Sequence, residues 1–121
     1  MSILKRMNQS FLIKYNGINV GILEIGSYED KYKDDMGGIG EIRSIHIKKD
    51  FQNKGIGKIA IDFAINELKS KGFSTACLWV KKQNYKAINF YEKQGFNKTT
   101  YSLEETIDGA PSMVMEKKIG D

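Results

Sequence analysis

Apolar residues recur at every second position from Phe11 through Ile13 to Tyr15, and a period of two predicts a half-buried strand. Asn16-Gly17 follows, a pair suited to the positive φ angles of a type I′ turn, so a hairpin is expected. Ile18, Val20 and Ile22 resume the alternation, which then changes phase after Gly21 to Leu23 and Ile25. A phase change inside a strand predicts a bulge. Tyr28 to Gly38 is polar, acidic and glycine-terminated and reads as a loop, and a third strand is expected over about Ile39 to Lys48. From there the period lengthens. Ile56, Ile59, Ala60, Phe63, Ala64 and Leu68 mark one face of a helix ending near Lys71, with Asp62, Asn66, Lys69 and Ser70 opposite and Gly72 as its stop. Ala76, Leu78 and Val80 predict a buried strand, parallel to the third because a helix crosses between them. Asn84 suits the cap of a second helix that runs to Gln94 and stops at Gly95. Two last strands, about Phe96 to Leu103 and Ser112 to Lys118, flank a loop carrying Glu104, Glu105, Asp108 and Pro111. The order β-β-β-α-β-α-β-β places the chain in the α/β (α+β) class.

Composition narrows this further. At 121 residues and 13.7 kDa the chain is expected to form one domain, residues 1–121. No apolar run approaches a membrane span, and Lys5-Arg6 is followed by Met7-Asn8-Gln9-Ser10 rather than the apolar stretch of a signal peptide, so no membrane role is expected. The lone Cys77 lies in an apolar strand without a disulfide partner, which suits a small core residue in a reducing, cytoplasmic setting. A net charge of +4 invites a nucleic-acid reading. The basic residues are spread out, however, and the densest cluster, Lys48 to Lys58, coincides with a glycine-rich turn. A ligand with several phosphates accounts for it, and no nucleic-acid partner is expected.

That turn, Gln52-Asn53-Lys54-Gly55-Ile56-Gly57-Lys58, joins the apolar strand segment Ile42 to Ile47 to the first helix. Glycines let the backbone approach an anion closely, and the first helical turn offers unpaired N–H groups and the positive end of the dipole. A second segment, Asn84-Tyr85-Lys86-Ala87-Ile88-Asn89-Phe90-Tyr91-Glu92-Lys93-Gln94-Gly95-Phe96, follows after an intervening strand. Together the two resemble the GNAT family of acyl-CoA-dependent N-acetyltransferases. The first matches the family's [Q/R]-x-x-G-x-[G/A] pyrophosphate loop at Gln52, Gly55 and Gly57, and the second its N-x-x-A-x-x-F-Y-x-x-x-G-F helix.

The resemblance covers roughly residues 38 to 118 and implies a mixed central sheet with helices on both faces. It also implies acetyl-CoA as cofactor. Residues 53–58 (Asn53, Lys54, Gly55, Ile56, Gly57 and Lys58), with Gln52, would hold the pyrophosphate, and Asn84, Ala87 and Tyr91 would contact the pantetheine side. Ile45 and Ile47 would lend backbone groups where the third strand and its parallel neighbour splay, the Ile47 amide serving as oxyanion donor. One departure is evident. The family opens with a strand and helices that wall the acceptor site, whereas here only about ten residues precede the first expected strand, so the N-terminal strand and helices are read as shortened.

Acetyl transfer to an amine needs a base for the amine proton, a donor for the thioester oxygen and a proton for the departing thiolate, but no metal. By resemblance to histone-type members, Glu41, eleven residues before Gln52, is the candidate base. His46 competes because its ordinary pKa suits the task. An odd spacing puts the two on opposite sheet faces unless a bulge intervenes. An ordered water is the third possibility. Tyr91 is the candidate acid. Glu29, Asp30, Asp34, Asp35, Glu104, Glu105 and Asp108 could frame a negative rim for a cationic amine, or simply be solvated loop charges. The function expected is acetyl transfer to a primary amine of a small molecule or peptide; the alternative is a CoA-binding regulatory or scaffolding module. A homodimer would close the acceptor side through Ser112 to Met115 or the N-terminal segment; otherwise the Tyr28 to Gly38 loop folds over a monomer's site.

Overall fold

Nine regular elements follow one another in the computed structural model, which describes residues 1–7, 9–28, 38–103 and 109–120. They are β1 (Ser2–Met7), β2 (Ser10–Tyr15), β3 (Ile18–Ser27), β4 (Ile39–Ile47), α1 (Ile56–Ser70), β5 (Thr75–Lys81), α2 (Tyr85–Lys93), β6 (Asn97–Leu103) and β7 (Ser112–Lys118). A short 3₁₀ turn, Lys49–Phe51, separates β4 from the glycine-rich loop. The strands form one mixed sheet in the order β1-β2-β3-β4-β5-β7-β6, with β4 and β5 its parallel neighbours.

The expected strands and helices are present, with one added. β1 pairs antiparallel with β2, aligning Ile3 with Ile13 and Leu4 with Leu12. The sequence reading left these residues unassigned because Ile3-Leu4-Lys5 shows no alternation. Ile3 packs against the core while Leu4, on the opposite face, is exposed. The N-terminal strand is thus present, and it passes to β2 through residues 8–9 alone, leaving no room for a helix between them.

Bulges rearrange the first strands. β2 and β3 shift register between Ile13↔Gly21 and Lys14↔Asn19, so Val20 is the extra residue. The phase change therefore falls at Val20, earlier than expected. Val20 is fully buried, while Ile18 and Ile22 on the same nominal face are exposed. A second shift lies between Glu24↔Ser44 and Ile25↔Ile42, which makes Arg43 the extra residue of β4.

The principal core is built from Phe11, Ile13, Leu23, Ile25 and Ile42 of the first strands and Ala76, Leu78, Val80, Met113 and Met115 of β5 and β7. These pack against Ile56, Ala60, Ile61, Ala64, Ile65 and Leu68 of α1 and Ile88 of α2. The buried stripe of α1 is rotated from the one expected, with Ile61 and Ile65 inside and Ile59 exposed. Both helices contribute to this one cluster. The crossovers β4-α1-β5 and β5-α2-β6 run in the same direction along the sheet, and right-handed connections in one direction place their helices on one side. Among the described residues the layers therefore differ from the expected helices on both faces. The opposite face holds a smaller cluster of Tyr28, Cys77 and Val114 with Ile39, Trp79 and Tyr101 packed against it. Cys77 is buried there, as a core residue should be. β7 is an internal strand bonded on both sides, and Ser112 to Met115 are buried within the chain, so this segment is no docking strand.

Candidate active site

β4 and β5 pair only through Ile39↔Thr75, Gly40↔Ala76 and Glu41↔Cys77. Beyond Glu41 they part, and a gap opens at the carboxyl ends of both strands. On its β4 bank the Lys48 N–H donates to Val20 O at 2.8 Å. Antiparallel ladders bond on alternate residues, so the peptide groups of Ile47 and Ile45 face away from β3 and into the gap. Their side chains align with Gly21 and Leu23 on the core face and are half-buried. The Ile47 carbonyl is met by Gln52, whose Nε2 donates to it at 2.8 Å. The Gln52 side chain thus braces the loop against the strand end.

The loop itself turns on two left-handed residues, Asn53 at φ 61° and Gly55 at φ 81°. Gly55 is the N-cap of α1 and no side chain caps the helix, so its first N–H groups are open to a ligand. A Cβ at Gly55 would meet nothing within 4 Å, whereas one at Gly57 would lie 3.2 Å from the Phe90 ring. Gly55 serves backbone conformation, and Gly57 serves the close approach of α1 to α2. Ile56 is buried, so only its backbone faces the loop. Lys54 and Lys58 are exposed, and Lys58 Nζ rests on Asp62 Oδ2 at 2.7 Å one turn on. Such an exposed pair is worth little and leaves the ammonium available to an anion.

Across the gap, Asn84 accepts the Ala87 N–H at 3.2 Å and caps α2 as expected. Its carboxamide oxygen is engaged, so its amide nitrogen is what it can offer a ligand. Beside it lies a cavity of about 350 Å³ lined by Lys81, Gln83, Asn84, Ala110 and Pro111. Ala87 is half-buried against the core. Tyr91, on the next turn, is half-buried, with its ring centroid 5.4 Å from Phe90 and 6.1 Å from Phe96. Burial pushes its phenol pKa above the ordinary value of 10.0, so the hydroxyl remains a proton donor at neutral pH.

The bulge at Arg43 decides the relation of Glu41 to His46. Glu41 aligns with Gly26, Ser44 with Glu24 and His46 with Ile22, and these β3 residues alternate regularly. Glu41, Ser44 and His46 therefore share the face turned away from the helices. Their partners on β3 are four residues apart, which separates Glu41 from His46 by about 13 Å. Glu41 is the more enclosed: its side chain is 16% exposed, and Oε1 lies 3.5 Å from Arg43 Nε. Arg43 also donates to Ser27 O at 2.8 Å. His46 is exposed. On the β5 bank the same face carries Cys77 and then Trp79, whose ring stands 6.1 Å from that of Tyr101.

Ile45 and Ile47 thus lie on the β4 bank of the gap, residues 52–58 join that strand to α1, Glu41 sits at the last paired position, and Asn84, Ala87 and Tyr91 belong to the cap and body of α2, which follows β5. Sequence reasoning did not single out Ser44, Trp79 or the bracing role of Gln52. The first depends on the β4 bulge, and Trp79 stood inside a strand whose alternation drew notice only to its buried neighbours. The acidic residues Glu29, Asp30, Asp34, Asp35, Glu104, Glu105 and Asp108 lie outside the described residues. No cluster of metal-ligating side chains occurs among the described residues, and none of their helices is long and apolar enough to cross a membrane.

Comparison with known proteins agrees with this fold. A ribosomal protein bS18-alanine N-acetyltransferase of Escherichia coli is 37% identical over 74 residues, covering 60% of this chain and 50% of the relative. With the Salmonella typhimurium counterpart the match covers 38% of the relative, so the chain spans half or less of these proteins' length. The crystal structure of the E. coli ribosomal-protein-S18-alanine N-acetyltransferase superimposes with a TM-score of 0.73 at 25% identity, over 93% of this chain and 69% of that one. The PaiA N-acetyltransferase of Thermoplasma acidophilum, solved in complex with coenzyme A, shares the fold at a TM-score of 0.68 and 24% identity, covering 90% and 59% of the two chains. The model of the acetyltransferase (GNAT) family matches residues 3–96, most of the chain. With the gap, the glycine-rich loop and the capped second helix in the order that family requires, this chain belongs to the GNAT acetyltransferase family.

Proposed function

We propose that the chain is an acetyl-CoA-dependent N-acetyltransferase that moves an acetyl group directly to a primary amine of a small molecule or peptide. The observation that carries this reading is the β4–β5 gap: peptide groups turned into it at Ile45 and Ile47, with the uncapped start of α1 following the β4 end. The residues present fit the cofactor. The first turn of α1 with Asn53, Lys54, Gly55, Ile56, Gly57 and Lys58 would hold the pyrophosphate, and Asn84 and the Ile45 and Ile47 peptides would hold the pantetheine amides. When bound, acetyl-CoA supplies an activated acyl group as a thioester.

We assign the protein groups the following roles. The Ile47 N–H donates to the carbonyl oxygen as negative charge develops there. Glu41, directly or through water, takes the proton of the attacking amine. With acetyl-CoA bound, the amine nitrogen would bond to the acyl carbon as the carbon–sulfur bond breaks, and the Tyr91 hydroxyl would give its proton to the departing thiolate to yield free thiol. Arg43 stands beside that carboxylate, its Nε 3.5 Å from Oε1. His46 is too far along β4 to share a proton with Glu41. The bacterial relatives act, by name, on an alanine of a ribosomal protein, which supports a peptide amine among the acceptors. We further assign the protein to the cytoplasm and its working form to a homodimer.

A second reading, a CoA-binding module without turnover, is favoured by the sheet face beside Glu41, over which no helix lies among the described residues. Free-thiol release from acetyl-CoA across a panel of amines and N-terminal peptides, beside thermal shift with coenzyme A, decides between them. Release that depends on the amine supports the transferase. Stabilisation without release replaces it with the binding module.

A further inference from the structure

We propose that the face of β1, β2 and β3 turned away from α1 and α2 is the surface on which a second copy of this chain docks, the two sheets packing face to face about a two-fold axis. This rests on the homodimer assigned above and specifies its interface. Register alignment carries one transverse row across four strands: Leu4 with Leu12, Leu12 with Ile22, and Ile22 with His46. Leu4 and Ile22 are 48% and 45% exposed, and Leu12 between them is half-buried. At the usual strand spacing the row is about 14 Å long. No helix lies over it among the described residues, because α1 and α2 occupy the other face.

The charges beside the row identify the occupant. One flank carries Ser2 and Lys14, which align with each other; the other carries Ser10, Glu24 and Ser44, likewise aligned. Neither Lys14 nor Glu24 forms an ion pair among the described residues. A two-fold axis along the row lays each apolar residue on its own copy and exchanges the flanks. Lys14 of each copy then comes within side-chain reach of Glu24 of the other. A surface basic on one side of an apolar stripe and acidic on the other is thus complementary to itself under the symmetry a homodimer requires. Aligned sheets pack in this manner with their strands about 30° apart. The row ends at His46 on β4, so the docked copy covers His46 and Ser44, and its edge supplies a wall on the side of Glu41.

Light scattering on the full chain at tens of micromolar tests the interface. The wild type is expected at twice 13.7 kDa, and Leu4→Glu with Ile22→Glu at 13.7 kDa. Lys14→Glu should weaken dimerisation about tenfold or more, and adding Glu24→Lys should restore it, because the two positions are distant within one copy and adjacent only across the axis. A monomeric wild type, a dimer indifferent to Leu4→Glu with Ile22→Glu, or failure of the reversed pair to restore association overturns the proposal. The second of these results would indicate edge pairing through β1. Coenzyme A thermal shift on the same samples keeps the functional reading separate: its loss in the wild type condemns the transferase site, while the masses still judge the interface.

Discussion

The two faces of the sheet are built differently, and on the proposed reading the contrast separates what would bind cofactor from what would admit acceptor. On the helix-covered face, two motifs separated by a strand converge: Gly57 at the start of α1 packs on Phe90 of α2, and Tyr91 lies next in sequence on the same helix. On the opposite face, Glu41, Ser44 and His46 line β4 beside Trp79 of β5, no described helix covers them, and apolar side chains stand in water at Leu4 and Ile22. On that reading, binding of the common cofactor would be tied to the core, while recognition of the acceptor would be left to the opposite face.

Glycine substitutions should break the helix-covered side most severely. Gly55→Glu places a carboxylate at the anion site, in a left-handed backbone that costs about 1–2 kcal/mol for a residue with a side chain, but meets no neighbouring atom. The fold should survive and coenzyme A should no longer raise the melting temperature. Gly57→Glu should lose both fold stability and binding, because its side chain enters the space of Phe90. Unchanged coenzyme A affinity in folded Gly55→Glu contradicts the loop assignment.

Proton transfer comes next in size. Tyr91→Phe and Glu41→Gln should each lower the transfer rate by roughly 10²–10⁴ while coenzyme A affinity changes much less. His46→Ala should change the rate far less, and the reverse pattern in steady-state kinetics transfers the base role to His46. The phenol also predicts a pH effect. Its folded pKa lies above the unfolded value of 10.0, so its contribution to stability is whole below pH 10 and is lost as pH rises through the folded value. Melting curves of Tyr91→Phe against wild type should diverge only in that alkaline range, with the wild type losing more.

The smallest effect belongs to the brace between loop and strand. Gln52→Ala removes one exposed hydrogen bond to the Ile47 carbonyl, worth about 1 kcal/mol, and should raise KM for acetyl-CoA about fivefold with less change in kcat. A fall in kcat alone means that Gln52 acts on the reacting groups and not on the loop.

Legibility in the sequence divides along the same line as the two faces. The helix-covered side was readable because its signals are local: a glycine turn, a 3.6-residue period, Asn84 as a cap and Gly95 as a stop all act through nearby backbone. The open face depends on bulges. Val20 and Arg43 each insert one residue into a ladder, and each insertion carries every later side chain to the other face. A spacing rule applied to Glu41 and His46 therefore separates two residues that share a face. β1 escaped notice for a related reason: one face of an edge strand meets the core through Ile3 and the other leaves Leu4 exposed, so no polar alternation marks it. The number of helices on each face was hidden as well, since handedness and strand order fix it only once the sheet is assembled.

The division of labour between the faces is tested most directly by backbone amide NMR of the ¹⁵N-labelled chain titrated with coenzyme A. The account predicts shifts concentrated at Ile45, Ile47, residues 53–58 and the start of α2 at Asn84 to Ala87, with Leu4, Leu12 and Ile22 unmoved. Shifts centred on the β1–β3 face, with residues 53–58 silent, would contradict it.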